Sequence, residues 1–332
     1  MPVRKPVVIK NQRMTSSKKK KITNIGEEVN CLLEHGTLES LQRAKQLSQD
    51  HLKHQWDFYS ELAFQRNAVV DKLIDVISES CIEDYKFSTW QRVLQWKYTN
   101  HPLCTIGSLK QYGGRFNIGE DISPSGALQT FPAFYIAQDQ VTAKAEAFGS
   151  QVPGFNLSAE EVALVNKRSY GCISISGSLD RVIDLTKKSS LTKFIRLISK
   201  FKIPQSIFNS ALRLNLPPPT LINSTALLLD SFLASDWRKE PAQFDIPANG
   251  QIFGQLVHKA GIDGILFKSS KTKELCLAIF PSNFSNGNSF LQLDDEPPEN
   301  WIVNHIDSEN FEFCQKDVEE VKSLRSLATS KK

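Results

Sequence analysis

Apolar positions recur at helical spacing through the first quarter of the chain: Leu41, Ala44 and Leu47, then Val69, Leu73 and Val76. Thr37, with Ser40 and Leu41 behind it, reads as a helix start. Past Asp84 the texture changes. Aromatic and β-branched residues rise, and Pro102, Gly107, Gly113, Gly114 and Gly119 predict loops with short strands over 98–119. Ala133 to Ala137 is a run of small and apolar residues that fits a buried strand, and Val141 to Phe148 a short helix made narrow by Ala143, Ala145 and Ala147. Cys172 to Ile175 alternates with period two, and Arg181 to Leu185 follows as a second strand piece. Helical patterns return over 191–200, 220–233 and 251–260, the last stopped by Gly261. Strands follow at 264–268 and 275–280, with Lys271 to Glu274 as the hairpin loop between them. Few, irregularly spaced strands argue against a doubly wound sheet and for an α+β domain with a mixed sheet and helices packed outside.

The predicted organisation is a disordered basic tail over 1–24, a helical N-terminal module over 25–85, a catalytic-type domain over 86–315 and a polar tail over 316–332. Charge sharpens the first of these. The 332 residues carry a formal +4. Residues 1–24 hold Arg4, Lys5, Lys10, Arg13 and Lys18 to Lys21 with no acid, so eight of the positives sit there and the remainder is −4. Nucleic-acid binding is therefore expected only through the basic N-terminal tail, if anywhere. No run approaches the 18 apolar residues of a membrane helix, so no membrane association is expected. The six scattered cysteines include no CxxC pair and the six histidines no ligand spacing, which fits free thiols in a cytoplasmic protein and predicts no metal.

Four residue types then stand out. Arg115 follows Gly113-Gly114 and is expected to project from the start of a strand, with Asn117 on the same face; a guanidinium fork matches phosphate oxygens. Tyr135 lies inside an apolar strand, where its hydroxyl needs a partner or its ring a planar neighbour. Glu146 sits between two alanines on a short helix, and one carboxylate near an anomeric carbon stabilises an oxocarbenium-like transition state. Ser269 ends a strand where its hydroxyl can meet a phosphate or ribose oxygen. Each also has a plain structural reading: a turn arginine paired with a surface acid, a core tyrosine, a surface glutamate, a turn serine. No nucleophile elbow surrounds Ser269.

The set Gly114-Arg115-Phe116-Asn117, Tyr135-Ile136-Ala137, Glu146 and Gly261 to Ser269, in that order over residues 95 to 285, resembles the RES domain family. Two departures stand beside the match. The interval from Arg115 to Tyr135 is longer than in compact members, which predicts an inserted loop around Ile122 to Thr130, and Phe267-Lys268 replaces the usual Tyr-Pro. The resemblance implies an ADP-ribosyltransferase-like split sheet around an NAD cleft. It implies cleavage of the nicotinamide–ribose bond with inorganic phosphate or water as acceptor, in a toxin with a cognate antitoxin protein. Arg115, Tyr135, Glu146 and Ser269 would be catalytic, and Arg115, Asn117, Tyr135 and Ser269 would hold NAD. Lys110, Lys144 and Lys268 are the possible helper cations. The alternatives are mono-ADP-ribosyl transfer to a protein or nucleic acid and, from another class, a non-catalytic nucleic-acid-binding or scaffold protein.

Overall fold

A computed structural model describes residues 28–30, 35–122, 129–148, 170–295, 303–317 and 319–321. The basic tail, residues 123–128 of the expected insertion and most of the polar tail lie outside the described residues. The chain divides into two units, residues 1–51 and 52–332, and the division falls within one helix.

In the first unit, β1 (Glu28–Asn30) pairs antiparallel with β2 (His35–Thr37), and α1 (Leu38–Asn67) begins directly after Thr37. Residues 28–30 and 35–37, within the stretch expected to be helical from Ile25, are thus paired strands.

The second unit is α+β. It contains the rest of α1, then α2 (Val70–Ser78), β3 (Cys81–Gln95), β4 (Phe134–Ala137), α3 (Gln140–Phe148) and β5 (Tyr170–Asp184). There follow α4 (Thr192–Ile198), α5 (Gln205–Arg213), α6 (Thr225–Leu233), α7 (Lys239–Gln243) and α8 (Asn249–Lys259). The final strands are β6 (Gly264–Lys268), β7 (Leu275–Ile279), β8 (Phe290–Leu293) and β9 (His305–Ile306).

The seven strands β3 to β9 form one mixed sheet in the order β3-β4-β7-β6-β5-β8-β9, with a further pairing of β3 to β5. Among the described strands only β5 and β6 run parallel, at Val182 to Asp184. The two strand pieces expected around 172 and 183 are one 15-residue strand, matched by an equally long β3 whose register runs from Cys81↔Ile183 to Gln95↔Tyr170. β3 was not evident as a strand, because Glu83, Asp84, Lys86 and Arg92 interrupt its alternation and a register shift between Phe87 and Trp90 breaks its period. The order closes five strands into a ring whose weakest join is between β3 and β4, a single pair at Gln91↔Ala137.

Strands β6 and β7 are buried on both faces, which is why they read as apolar runs. Ile265, Phe267, Cys276 and Ala278 face a core made with α2, α4, α6 and α8; Leu266, Leu277 and Ile279 face a second core with Trp90, Phe134, Phe284 and Ile306. Side chains of the first parity on β3 (Gln91, Val93), β4 (Tyr135, Ala137), β6 (Phe267) and β7 (Cys276) line a cleft where β3 and β4 part.

Candidate active site

The turn that carries Arg115 is built from its backbone outward. Gly113 has φ +81°, a region that favours glycine. A Cβ on Gly114 would stand 2.6 Å from both Asn117 Oδ1 and Tyr135 Oη, so only glycine fits. No strand forms at 115–119, contrary to the expectation that Arg115 and Asn117 share a strand face. Side chains take over the work of a strand partner. Asn117 Oδ1 accepts from the Gly114 N–H and the Tyr135 hydroxyl, each at 2.9 Å, and its Nδ2 donates to the carbonyls of Ser108 (2.8 Å) and Phe131 (3.2 Å). All four hydrogen-bonding positions of that amide are therefore used inside the turn.

The Tyr135 hydroxyl also accepts the Phe116 N–H at 2.9 Å, so it ties the turn to β4. Burial raises its pKa above the usual tyrosine value. Helix α8 closes the turn from the other side. Gln251, 1% exposed, donates from Nε2 to the carbonyls of Tyr112 (2.6 Å), Gly114 (3.1 Å) and Asn117 (3.1 Å), while its Oε1 accepts the Ala248 N–H (2.9 Å). The helix comes this close because Gly250 and Gly254 present no side chain: a Cβ on either would strike the carbonyl of Arg115 or of Phe116. Gln251 was not among the sequence candidates. Its signal was the Gly-x-x-x-Gly spacing on a helix, which marks a close backbone approach.

Arg115 emerges from this frame 8% exposed, on the cleft wall. Its Nη1 donates to the carbonyls of Phe232 (2.5 Å) and Ala234 (3.1 Å), at the C-terminal end of α6, and its guanidinium lies 5.4 Å from the Trp237 ring centroid. The negative end of a helix is a favourable seat for a cation. Burial is the main cause that lowers its pKa, opposed by the charge of Glu146.

The opposite wall is α3 and the turn after β6. Asp139 caps α3, accepting from the Thr142 N–H (2.8 Å) and its hydroxyl (2.9 Å). Glu146, in the last turn of the helix, has a side chain 29% exposed and lines the cleft. Its Oε1 accepts from the Ser269 hydroxyl at 2.5 Å. Ser269 is 1% exposed, and its Oγ also accepts from the backbone N–H groups of Lys271 (3.1 Å) and Thr272 (3.3 Å). The serine thereby orients the carboxylate. Lys271 completes this wall: its Nζ donates to the Ala145 carbonyl at 2.7 Å and stands 4.0 Å from Glu146 Oε2. Burial is the first cause that lowers the Lys271 pKa.

The structure thus brings Arg115, Tyr135 and Glu146 to one cleft of about 420 Å³, with Ser269 directly behind Glu146. That volume falls within the roughly 300–1,000 Å³ of small-molecule sites. The cations differ from those expected. Neither Lys144 nor Lys268 lines the cleft, and Lys110 lines a separate cavity with Tyr98 and His101; Lys271 and Arg238 are present instead. Among the described residues no group of three or more His, Cys, Asp or Glu has metal-binding geometry, and no helix is long and apolar enough to cross a membrane.

The model of the RES domain matches residues 89–298, more than half of the chain. The chain belongs to the RES domain family. The matched segment runs from inside β3 to past β8 and contains every residue of the two cleft walls. Among solved structures, the crystal structure of the M. tuberculosis MbcT–MbcA toxin–antitoxin complex is similar at 16% identity, over 76% of this chain and 97% of that chain, with a TM-score of 0.38. No curated protein matches.

Proposed function

We propose that this RES protein cleaves the nicotinamide–ribose bond of NAD, with inorganic phosphate as acceptor in preference to water, and acts as an NAD-depleting toxin held in check by a cognate antitoxin. The observation that carries the reading is the Glu146 carboxylate, offered to the cleft, fixed by Ser269 and flanked by cationic groups. A carboxylate so placed stabilises the positive charge that develops on the ribose as nicotinamide leaves. Arg115 offers its remaining N–H groups to the pyrophosphate. The C1–N bond breaks with its electron pair on the nicotinamide ring nitrogen, which cancels the charge there, so the leaving group needs no proton. That agrees with a cleft lined by no histidine among the described residues. Tyr135, Asn117 and Ser269 act as positioning residues in this scheme, since their polar atoms are engaged with the turn or with Glu146.

The test is direct. Purified protein incubated with NAD should release nicotinamide, faster when phosphate is added, and form a phosphorylated ADP-ribose. Folded protein that releases none under either condition refutes the reading. Label from NAD appearing on a protein or nucleic acid in place of a free sugar phosphate would assign ADP-ribosyl transfer instead. Expression in cells should lower NAD, and antitoxin binding should shield the cleft.

A further inference from the structure

An ammonium has three donors. Lys271 uses one on the Ala145 carbonyl at 2.7 Å; the Glu146 carbonyl is at 3.5 Å and the Glu146 carboxylate at 4.0 Å, both beyond a strong bond. Its side chain is 18% exposed and lines the cleft. Arg115 is in a matching position on the opposite wall, seated on α6 carbonyls through one nitrogen. Two cations and one carboxylate leave this part of the cleft net positive, and Arg115 is among the charges that disfavour protonated Lys271. An anion between them would relieve that repulsion.

The place of Lys271 decides which anion. Glu146 marks the reacting carbon, because its carboxylate must face the charge that develops there. Lys271 stands beside that same carboxylate, on the turn that also holds Ser269. We propose that Lys271 binds the attacking phosphate and so determines that the acceptor is phosphate rather than water; this rests on the NAD-cleavage reading. A phosphate oxygen forms a bond to ribose C1 as the C1–N bond breaks. The bonding pair leaves on nicotinamide, and the phosphate's remaining proton passes to solvent. Without Lys271, a phosphate dianion approaching Glu146 loses the cation that stands beside that carboxylate and meets its like charge there, whereas neutral water is indifferent to it. Lysine therefore acts on the choice of acceptor.

The experiment measures the ratio of phosphorylated to free ADP-ribose by anion-exchange chromatography, from NAD with increasing inorganic phosphate. Wild type, Lys271→Met and Lys271→Arg are compared as full chains. Lys271→Met should lower the ratio roughly tenfold to a hundredfold at a given phosphate concentration, the span of a charge-assisted hydrogen bond. Its KM for phosphate should rise by a similar factor, and Lys271→Arg should recover most of the ratio. A merely structural role would lower the rate and leave the ratio alone. The ratio is read from whatever turnover remains. Should Lys271→Met not fold, Lys271→Gln, which also removes the charge, gives the same reading. An unchanged ratio in the charge-removing variants overturns the proposal. Wild type that makes only free ADP-ribose at every phosphate concentration also overturns it, while leaving NAD cleavage standing. Folded wild type that releases no nicotinamide overturns both.

Discussion

Arg115 and Lys271 each rest on the carbonyl end of a helix, the first on α6 and the second on α3. Around that shared device the two walls differ. The Arg115 wall is a fully bonded frame: Asn117 uses all four of its positions, Gln251 clamps three carbonyls, and Gly250 and Gly254 let the helix backbone touch the turn backbone. On the Glu146 wall it is the carboxylate itself that is lightly bonded. One short hydroxyl contact holds the carboxylate, and the nearest ammonium is 4.0 Å from it. The side-chain amides of the Arg115 wall are saturated by the frame, whereas the Glu146 carboxylate keeps unused acceptor capacity toward the cleft. A wall that must answer changing charge on a substrate gains from groups whose bonds are incomplete, whereas a wall that holds an unreacting pyrophosphate gains from rigidity.

The largest expected effect breaks the comparison on the lightly bonded side. Glu146→Gln keeps the shape and removes the charge. Nicotinamide release should fall by about 10²–10³-fold, while the thermal midpoint stays within a degree or two, because the group is partly exposed and makes one side-chain hydrogen bond. Steady-state assay and thermal unfolding of the same preparation check both halves. A large stability loss with it would mean that this wall is scaffold too.

Asn117→Ala should do the reverse. It strands a buried N–H, a buried hydroxyl and two carbonyls together, and should cost about 3 kcal/mol of unfolding free energy. Denaturant titration measures it. Any loss of turnover should follow from displaced Arg115 and should appear in the KM for NAD as well as in kcat.

The elements that feed the two walls also titrate in opposite directions. His258, on α8 behind the Arg115 wall, stacks on Phe131 with centroids 4.6 Å apart, and burial pushes its pKa from 6.5 down to about 4. Its contribution is present above pH 6.5 and is lost as pH falls toward 4, because the unfolded chain takes up the proton first. Asp263, just before the strand that leads to Ser269, has its pKa pushed up to about 6 by burial, although it accepts from the Arg181 N–H and the Ser289 hydroxyl. Its neutral form is favoured in the fold, so stability rises as pH falls from 6 toward 3.8. Relative to wild type, His258→Phe should become more stable between pH 6 and 4, and Asp263→Asn less so, each by about 1–2 kcal/mol. Thermal midpoints across that range test the pair; shifts of the same sign would refute the opposition.

Much of this was legible beforehand, for reasons that differ by residue. Strands β6 and β7 and the charged hairpin between them follow from short apolar runs and a polar turn. Glu146 was legible because a carboxylate between alanines on a narrow helix faces either solvent or a site. Gln251 and Lys271 were not, since each acts through neighbours far away in sequence: Gln251 reaches back more than 130 residues to the Arg115 turn. β3 was hidden by its charges and its register shift. Lys144 and Lys268 looked plausible because proximity in sequence suggested proximity to the site, but Lys268 ends its strand with its side chain in solvent.

Tyr135 gives the smallest effect and the finest distinction between the walls. Its ring lines the cleft, which invites a catalytic role, yet its hydroxyl spends both bonds on the Arg115 turn. Tyr135→Phe keeps the ring and leaves the Phe116 N–H without its partner. If the hydroxyl belongs to the frame, unfolding free energy should fall by about 1 kcal/mol and nicotinamide release by no more than severalfold. The ring still fills the floor, and Asn117 still holds the Gly114 N–H. If the hydroxyl instead met the substrate in the transition state, the loss in kcat would approach that of Glu146→Gln with stability hardly changed. Measuring kcat and unfolding free energy on Tyr135→Phe therefore assigns the residue to one wall or the other, and the hydrogen-bond pattern favours the frame.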